Sequence, residues 1–387
     1  MIYISAFGMV NALGNNLVHI AAQLQAGHAP GMQPRDGWLQ DGKRCWLGEV
    51  QGALPLIPVA LAAHNTRNNQ LLLAALAQIR PVVDAAIAQY GRDRVAIVLG
   101  TSTSGVDEGD RQVDDALSGY DYRMQELGDP SRFLAHFLAL DGPAYTISTA
   151  CSSSARAIIS GQRLIDAGLA DVALVGGADS LSRMPINGFA SLDSLSERHC
   201  APFSADRDGI SIGEAAALLL LTREKHPLAL LGCGESSDAW HMSAPHPEGV
   251  GAERAMLMAL QQAGLQPQDV GYINLHGTAT PLNDQVESAV IHRLFGERVP
   301  CSSTKHLTGH TLGAAGATEA ALAALILQQQ QQLPLPPQDF SLAARDTSLP
   351  ACGLITTPQL LARPVIASNS FAFGGNNTCL IVGKPHE

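Results

Sequence analysis

The sequence predicts an α/β protein organised around a buried sheet, and three observations carry that reading. Short β-branched or aliphatic runs alternate with small-residue helical stretches. Several of those runs end in Gly, Ser and Thr, as strands do when they open into loops. Two segments also repeat one grammar: IGEAAALLLLTREK (Ile212 to Lys225) and FGGNNTCLIVGKP (Phe373 to Pro385) each pass from a Gly turn through a continuous apolar strand into a basic, polar end. That repeat suggests an internal duplication, with its boundary near residues 225 to 235 and halves of 1–230 and 231–387.

Taken in order, MIYISAFGMV reads as a first strand, and Val95 to Gly105 as a buried strand opening into a loop. Ala144 to Ser148 is a strand, and a small-residue helix follows from about Cys151 to Ala167, stopped by Gly168. Val172 to Val175, before Gly176 and Gly177, is the next strand, which completes a βαβ crossover. In the second half Val270 to Leu275 is a strand, Asp284 to Phe295 a helix, Cys301 to Thr304 a short strand and Leu312 to Gln332 a long Ala-rich helix. The glutamine run Gln328 to Gln332, followed by LPLPP, reads as a solvent-facing helix end leading into a loop.

Composition narrows the function. With 387 residues, 46% hydrophobic and 15% charged, the chain can bury a large core, which excludes wholesale disorder. A net charge of -11 and only 5% aromatic residues disfavour nucleic-acid binding. Seven cysteines without a CxxC pair argue against a disulfide framework and a structural zinc site, and for a reducing compartment. No apolar run approaches the ~20 residues of a membrane span; the longest, Ala314 to Leu327, carries Thr318 and Glu319. The start of the chain lacks signal-peptide features, so the expectation is a cytoplasmic, globular protein.

Cys151 is the most informative residue. STACSSSARAI puts it between a strand end and the first turn of a helix, where exposed N–H groups and the helix dipole favour an anion, so the thiol is expected to be acidic and nucleophilic. The other six cysteines read as buried and structural. His276, in NLHGTATPLND, stands at a strand terminus, where α/β proteins bind ligands. In SSTKHLTGHTLGAAGATE, Lys305 and Glu319 occur in an otherwise apolar Gly/Ala stretch; if buried they should pair, because an unpaired buried charge is costly. His310 and His306 lie in the same stretch, and periodicity does not choose between them.

STACSSS, PFSADRDGISIGEAAA, SSDAWHMSAPHPEG, NLHGTATPLND, SSTKHLTGHTLGAAGATE and NSFAFGGNN follow one another in the order and rough spacing found in elongating-type β-ketoacyl-[acyl carrier protein] synthases, which the chain resembles over nearly its whole length. The resemblance implies the thiolase fold, two βαβαβ halves in five α-β-α-β-α layers, and a dimer. It implies decarboxylative condensation of an acyl group with malonyl-acyl carrier protein, with Cys151 as acyl acceptor and His276 and His310 assisting decarboxylation. Lys305 and Glu319 match the family's buried pair that holds His310, and Thr278 and Thr280 match hydroxyls that bind the phosphopantetheine arm. Phe373 matches the gating phenylalanine, and its N–H and that of Cys151 would form the oxyanion hole. No metal or redox cofactor is implied, because the phosphopantetheine arrives on the carrier.

AFGG stands where GFGG is usual, and GEAAA where GEGA is usual, while TACSSS is similar to polyketide and aryl-polyene pathway ketosynthases. Those enzymes pair with a chain-length-factor subunit in some cases, so the partners implied are an acyl carrier protein and either a second copy or such a subunit. The alternatives are a non-catalytic chain-length-factor-like subunit, against which Cys151 and both histidines argue, and a coenzyme A-dependent thiolase or starter synthase. Thiolases use a late cysteine followed by Gly, whereas Cys379 precedes Leu380. For carrier docking, Arg67 is expected at the surface, and Arg207 is expected to be structural and bonded to Asp208.

Overall fold

The computed structural model describes residues 1–115 and 118–385. Among the described residues the main sheet has ten strands, ordered Cys301–Ser302, Tyr272–Asn274, Val365–Phe371, Asn376–Gly383, Leu228–Ser237, Ile2–Val10, Ala215–Thr222, Val172–Asp179, Val95–Gly100, Ala144–Ile147. This is one pattern used twice. Outward from Ile2–Val10 successive neighbours pair antiparallel, antiparallel, parallel and parallel. Outward from Leu228–Ser237 the orientations repeat in the same sequence. The two first strands join the halves through a short antiparallel ladder from Ile2↔Leu230 to Ile4↔Leu228. The two segments that suggested duplication supply Ala215–Thr222 and Asn376–Gly383, which hold equivalent places in the two patterns. A cut at residue 230 falls inside the strand Leu228–Ser237; the chain crosses between halves over 223–227.

The apolar runs are unbroken because both faces of the sheet are covered. In Ala215–Thr222 every residue is buried, and the side chains alternate: Leu219 and Leu221 face one core, Leu218 and Leu220 another. The first core holds helices Ser153–Asp166 and Ala315–Gln328 between the two halves, through Ile158, Ile165, Leu322 and Ile326. The second sits under Arg67–Ala77 and Asp129–Phe137, through Leu71, Leu72 and Phe133. A third lies under Val250–Ala263 and Pro281–Phe295, through Met256, Val290 and Ile291. The result is five layers, α-β-α-β-α. Each fully buried leucine or isoleucine contributes roughly 1.5–3 kcal/mol of transfer free energy. The long apolar run of the second half is the central-layer helix Ala315–Gln328, buried all round apart from Gln328 at its end. No single helix among the described residues is long and apolar enough to cross a membrane.

Boundaries differ from expectation where packing decides them. The strand from Val172 does not stop before Gly176 but runs on to Asp179. A Cβ on Gly176 would lie 2.0 Å from the Ala217 oxygen, so glycine there admits a neighbouring strand. The helix after Cys151 begins at Ser153, which leaves the cysteine on the turn. The expected helix from Leu312 starts as a 3-10 turn, Leu312–Ala314, and ends at Gln328, so most of the glutamine run lies beyond it.

The two central helices begin side by side. Gly316 touches the first turn of the other helix so closely that a Cβ would lie 2.6 Å from Ala155 Cβ, and the Ala317 N–H donates to Ser154 Oγ at 2.9 Å. On the sheet side a Cβ on Gly100 would lie 2.2 Å from the Ser154 nitrogen. Gly100→Ala must therefore push the helix that follows Cys151 off the sheet. We expect it to cost about 1–3 kcal/mol in a denaturant melt and to slow alkylation of Cys151; an unchanged midpoint would show that the helix recedes freely.

Candidate active site

Because the central helices start together, the segments preceding them meet. Ala150, in the left-handed region at φ 52°, turns the chain sharply between the strand Ala144–Ile147 and the helix, and puts Cys151 at the turn. On the other side Gly309 (φ 69°) and Leu312 (φ 50°) flank His310. His310 is pinned by its backbone N–H to Ser211 O at 2.7 Å, and its own carbonyl accepts from Gly213 N at 3.0 Å. Its ring then reaches across the halves, with Nε2 3.0 Å from Cys151 Sγ. Since the Leu312 N–H donates to His310 Nδ1 at 3.2 Å, the ring proton sits on Nε2 and points at the sulfur.

His276 follows the strand Tyr272–Asn274. Its N–H and that of Gly277 both donate to the Glu287 carboxylate at 2.7 Å. The His276 and His310 rings meet edge-on, with centroids 5.5 Å apart. Sγ and one nitrogen from each ring lie within 4.8 Å of one another. That donor set could hold a thiophilic ion only if His310 Nε2 were a lone pair, and the Leu312 contact makes it a donor. His306 is placed differently: it is buried, Nδ1 is 3.1 Å from Ser303 O, and its carbonyl lies 2.5 Å from His199 Nε2.

The three groups line a cavity of about 280 Å³ with Thr278, Thr280 and Phe373. The two threonine hydroxyls are 2.9 Å apart. Phe373 lies against Phe189 at a centroid distance of 5.4 Å. Behind His310, Lys305 Nζ donates to Glu319 Oε1 at 2.5 Å, with both side chains at most 2% exposed.

The sequence and the fold of the chain match those of known proteins. The family described as "Beta-ketoacyl synthase, N-terminal domain" covers residues 67–226, and "Beta-ketoacyl synthase, C-terminal domain" covers 229–338. The chain belongs to the β-ketoacyl synthase family. The 3-oxoacyl-[acyl-carrier-protein] synthase 1 of Haemophilus influenzae is 30% identical over 409 residues, covering 98% of this chain and 97% of that protein. The synthase 2 of Rhizobium meliloti is 38% identical over 264 residues, and that match spans 62% of its length and 63% of this chain. Among solved structures, the ketosynthase ApeO of Xenorhabdus doucetiae, determined in complex with its chain length factor ApeC, is 64% identical with a TM-score of 0.97, covering 99% of this chain and 98% of that one.

In this β-ketoacyl synthase the thiol does not meet the expectation of an acidic group. Burial pushes Cys151 up to about 11, against the Lys305 charge and the N–H groups of Phe373 and Cys151. Burial also holds His276 and His310 well below the usual histidine range, helped by the Lys305 charge, so both rings are neutral at pH 7. His306 is lowered to about 4 by burial. Two buried carboxylates escaped the sequence reading. Glu287, pushed up to about 7 by burial, fixes the His276 backbone. Asp179 accepts on one oxygen from Thr101, Ser102 and Thr103, and a Cβ on Gly313, beside His310, would lie 2.7 Å from its other oxygen. The signal for Glu287 was present: like Glu319, it is a charge within a largely apolar helix face.

Neither arginine stands as expected. Arg67 gives Nε and Nη2 to Glu214 at 2.8 and 2.5 Å. Glu214 is wholly buried and also accepts from the N–H groups of Val50 and Leu181. Arg67 therefore ties internal segments together and is not a free docking charge. Arg207 is structural, but its partner is Asp346 at 2.6 Å, while Asp208 accepts from Ser196.

Two outcomes follow from these contacts. Lys305→Met leaves Glu319 charged and unpaired in the interior, which should cost about 3–5 kcal/mol; Lys305→Met with Glu319→Leu should recover melting temperature without recovering activity. A thiol held high is protonated at neutral pH and gains thiolate as pH rises. The rate of Cys151 alkylation by iodoacetamide should therefore still be climbing between about pH 7 and 9; a plateau reached below pH 7 would mean that the helix N-termini outweigh burial.

Proposed function

We propose that the protein condenses an acyl group, held on Cys151, with a malonyl group on an acyl carrier protein, releasing carbon dioxide and a β-ketoacyl carrier. The observation that carries this reading is the His310 Nε2–H directed at Cys151 Sγ at 3.0 Å, with a ring nitrogen of His276 within 4.8 Å of the same sulfur. In the first half-reaction Sγ attacks the carrier thioester; its proton leaves with the carrier thiol, and the acyl group stays on sulfur. The Cys151 and Phe373 N–H groups are the donors that would hold the tetrahedral oxyanion.

In the second half-reaction the malonyl carrier loses carbon dioxide and leaves an enolate. Two neutral imidazoles can donate to its oxygen without introducing a charge that would quench the carbanion. The carbanion then attacks the acyl-cysteine, the carbon–sulfur bond breaks, and the sulfur leaves as a thiolate that takes its proton from water. Loss of either imidazole should cost on the order of a hundredfold. The Thr278 and Thr280 hydroxyls, at the cavity wall, are suited to the amides of the phosphopantetheine arm, which enters as part of the substrate. Lys305 and Glu319 support His310, and Phe373 gates the cavity.

The complete set of reacting groups favours a catalytic chain over a non-catalytic fold twin. The partner we propose is a chain-length-factor-like subunit, on the strength of 64% identity to the ketosynthase ApeO over nearly all of both chains. Seven free cysteines, all buried, suit a cytoplasmic setting. Within the chain, the natural division between the cysteine-bearing and histidine-bearing halves is the stretch 223–227.

The test is intact mass after incubation with acyl carrier protein. One acyl adduct is expected on the wild type and none on Cys151→Ala. His276→Ala and His310→Ala should still be acylated but should release carbon dioxide from malonyl carrier about a hundredfold more slowly; an equal adduct on Cys151→Ala would reject the assignment. If His306→Ala loses decarboxylation while His310→Ala keeps it, the histidine roles are exchanged.

A further inference from the structure

Away from this cavity, two histidines and a carboxylate form an arrangement that the condensation does not use. The 3-10 turn Val59–His64 ends at His64, whose Nδ1 lies 2.6 Å from Asp129 Oδ1. Asp129 is buried at the start of helix Asp129–Phe137. Its second oxygen accepts from Asn69 Nδ2 at 2.8 Å, and the same amide donates to His64 O at 2.9 Å. The carboxylate therefore keeps the imidazole proton on Nδ1 and leaves a lone pair on Nε2. About two turns further along the helix, the exposed His136 places Nδ1 3.4 Å from His64 Nε2, with the rings inclined at 65°.

At that separation the two ring nitrogens share a long hydrogen bond, which a bound ion would replace. The separation does match two ligands of one tetrahedral ion, since nitrogens about 2.0–2.1 Å from a metal lie about 3.3 Å apart. A carboxylate behind a ligating imidazole is the usual way such a ring is oriented. We infer that His64 Nε2 and His136 Nδ1 form a site for a divalent transition-metal ion of the Zn²⁺ class, completed by water, with Asp129 orienting His64. The bound ion ties the 59–64 turn to the helix Asp129–Phe137. Ser131 of that helix donates to Tyr145 O on the strand Ala144–Ile147, which leads to Cys151. The ion thus braces the approach to the nucleophile without entering its chemistry.

The experiment uses the whole chain, stripped with chelator and with Cys151 blocked by iodoacetamide so that the active-site donors do not compete. It is titrated calorimetrically with Zn²⁺ and melted with and without it. One equivalent bound at micromolar affinity and a raised melting temperature are expected. His136→Ala, at an exposed position, and His64→Gln should each weaken binding by at least about tenfold and abolish the thermal shift, while metal-free, unblocked His136→Ala keeps its condensation activity. Equal affinity for Zn²⁺ in wild type and His136→Ala, or no binding up to millimolar Zn²⁺, overturns the site. Should His64→Gln fail to fold, His136→Ala decides alone.

Discussion

The structure depends on how closely two helices can start. Ser153–Asp166 and Ala315–Gln328 form the central layer, and Cys151 and His310 lie on the segments that lead into them. Their N-termini approach until Gly316 rests on Ala155, and the Ala317 N–H is capped by Ser154 from the other helix. A larger residue at Gly316 or Gly100 would separate the helices or lift one off its sheet. The 3.0 Å contact between His310 and Cys151 exists only because small residues let the helices approach this closely. The helix Ser153–Asp166 also turns the positive end of its dipole toward Cys151, which stands on the turn ahead of it.

Burial works against that electrostatic design and shapes the chemistry. The same enclosure that makes fixed N–H donors effective raises the thiol and keeps both imidazoles neutral. For the proposed condensation neutral rings are the useful form, because they can donate to an enolate oxygen without offering it an acidic proton. The ion pair Lys305 and Glu319 completes the balance: it sets a positive charge behind His310, which opposes protonation of that ring and of His276.

Much of this was legible in the sequence, and the residues show why. Cys151 announces itself because a strand, a turn and a small-residue helix succeed one another locally, and His276 because a strand ends beside it. Lys305 and Glu319 stand out as charges among Gly and Ala, which forces a pair if they are buried. Arg67 was misread because its partner, Glu214, is 147 residues away and no local pattern links them. Gly176 was misread as a stop because the Ala217 backbone that requires a glycine there belongs to another strand.

By itself, then, the sequence determined the α/β class, the duplication and the order of elements, since these are written in local periodicity and turn residues, while its ordered motifs carried the resemblance that singles out Cys151, His276 and His310 as candidates. The tertiary structure alone decided which of His306 and His310 meets the thiol, which ring nitrogen carries the proton, and how far burial moves the thiol from its ordinary range. It alone paired Arg67 with Glu214 and brought His64 to His136. Each of these depends on residues distant in sequence becoming neighbours, and on water being excluded when they do. Periodicity records neither, because contact geometry and dielectric environment are properties of the packed chain.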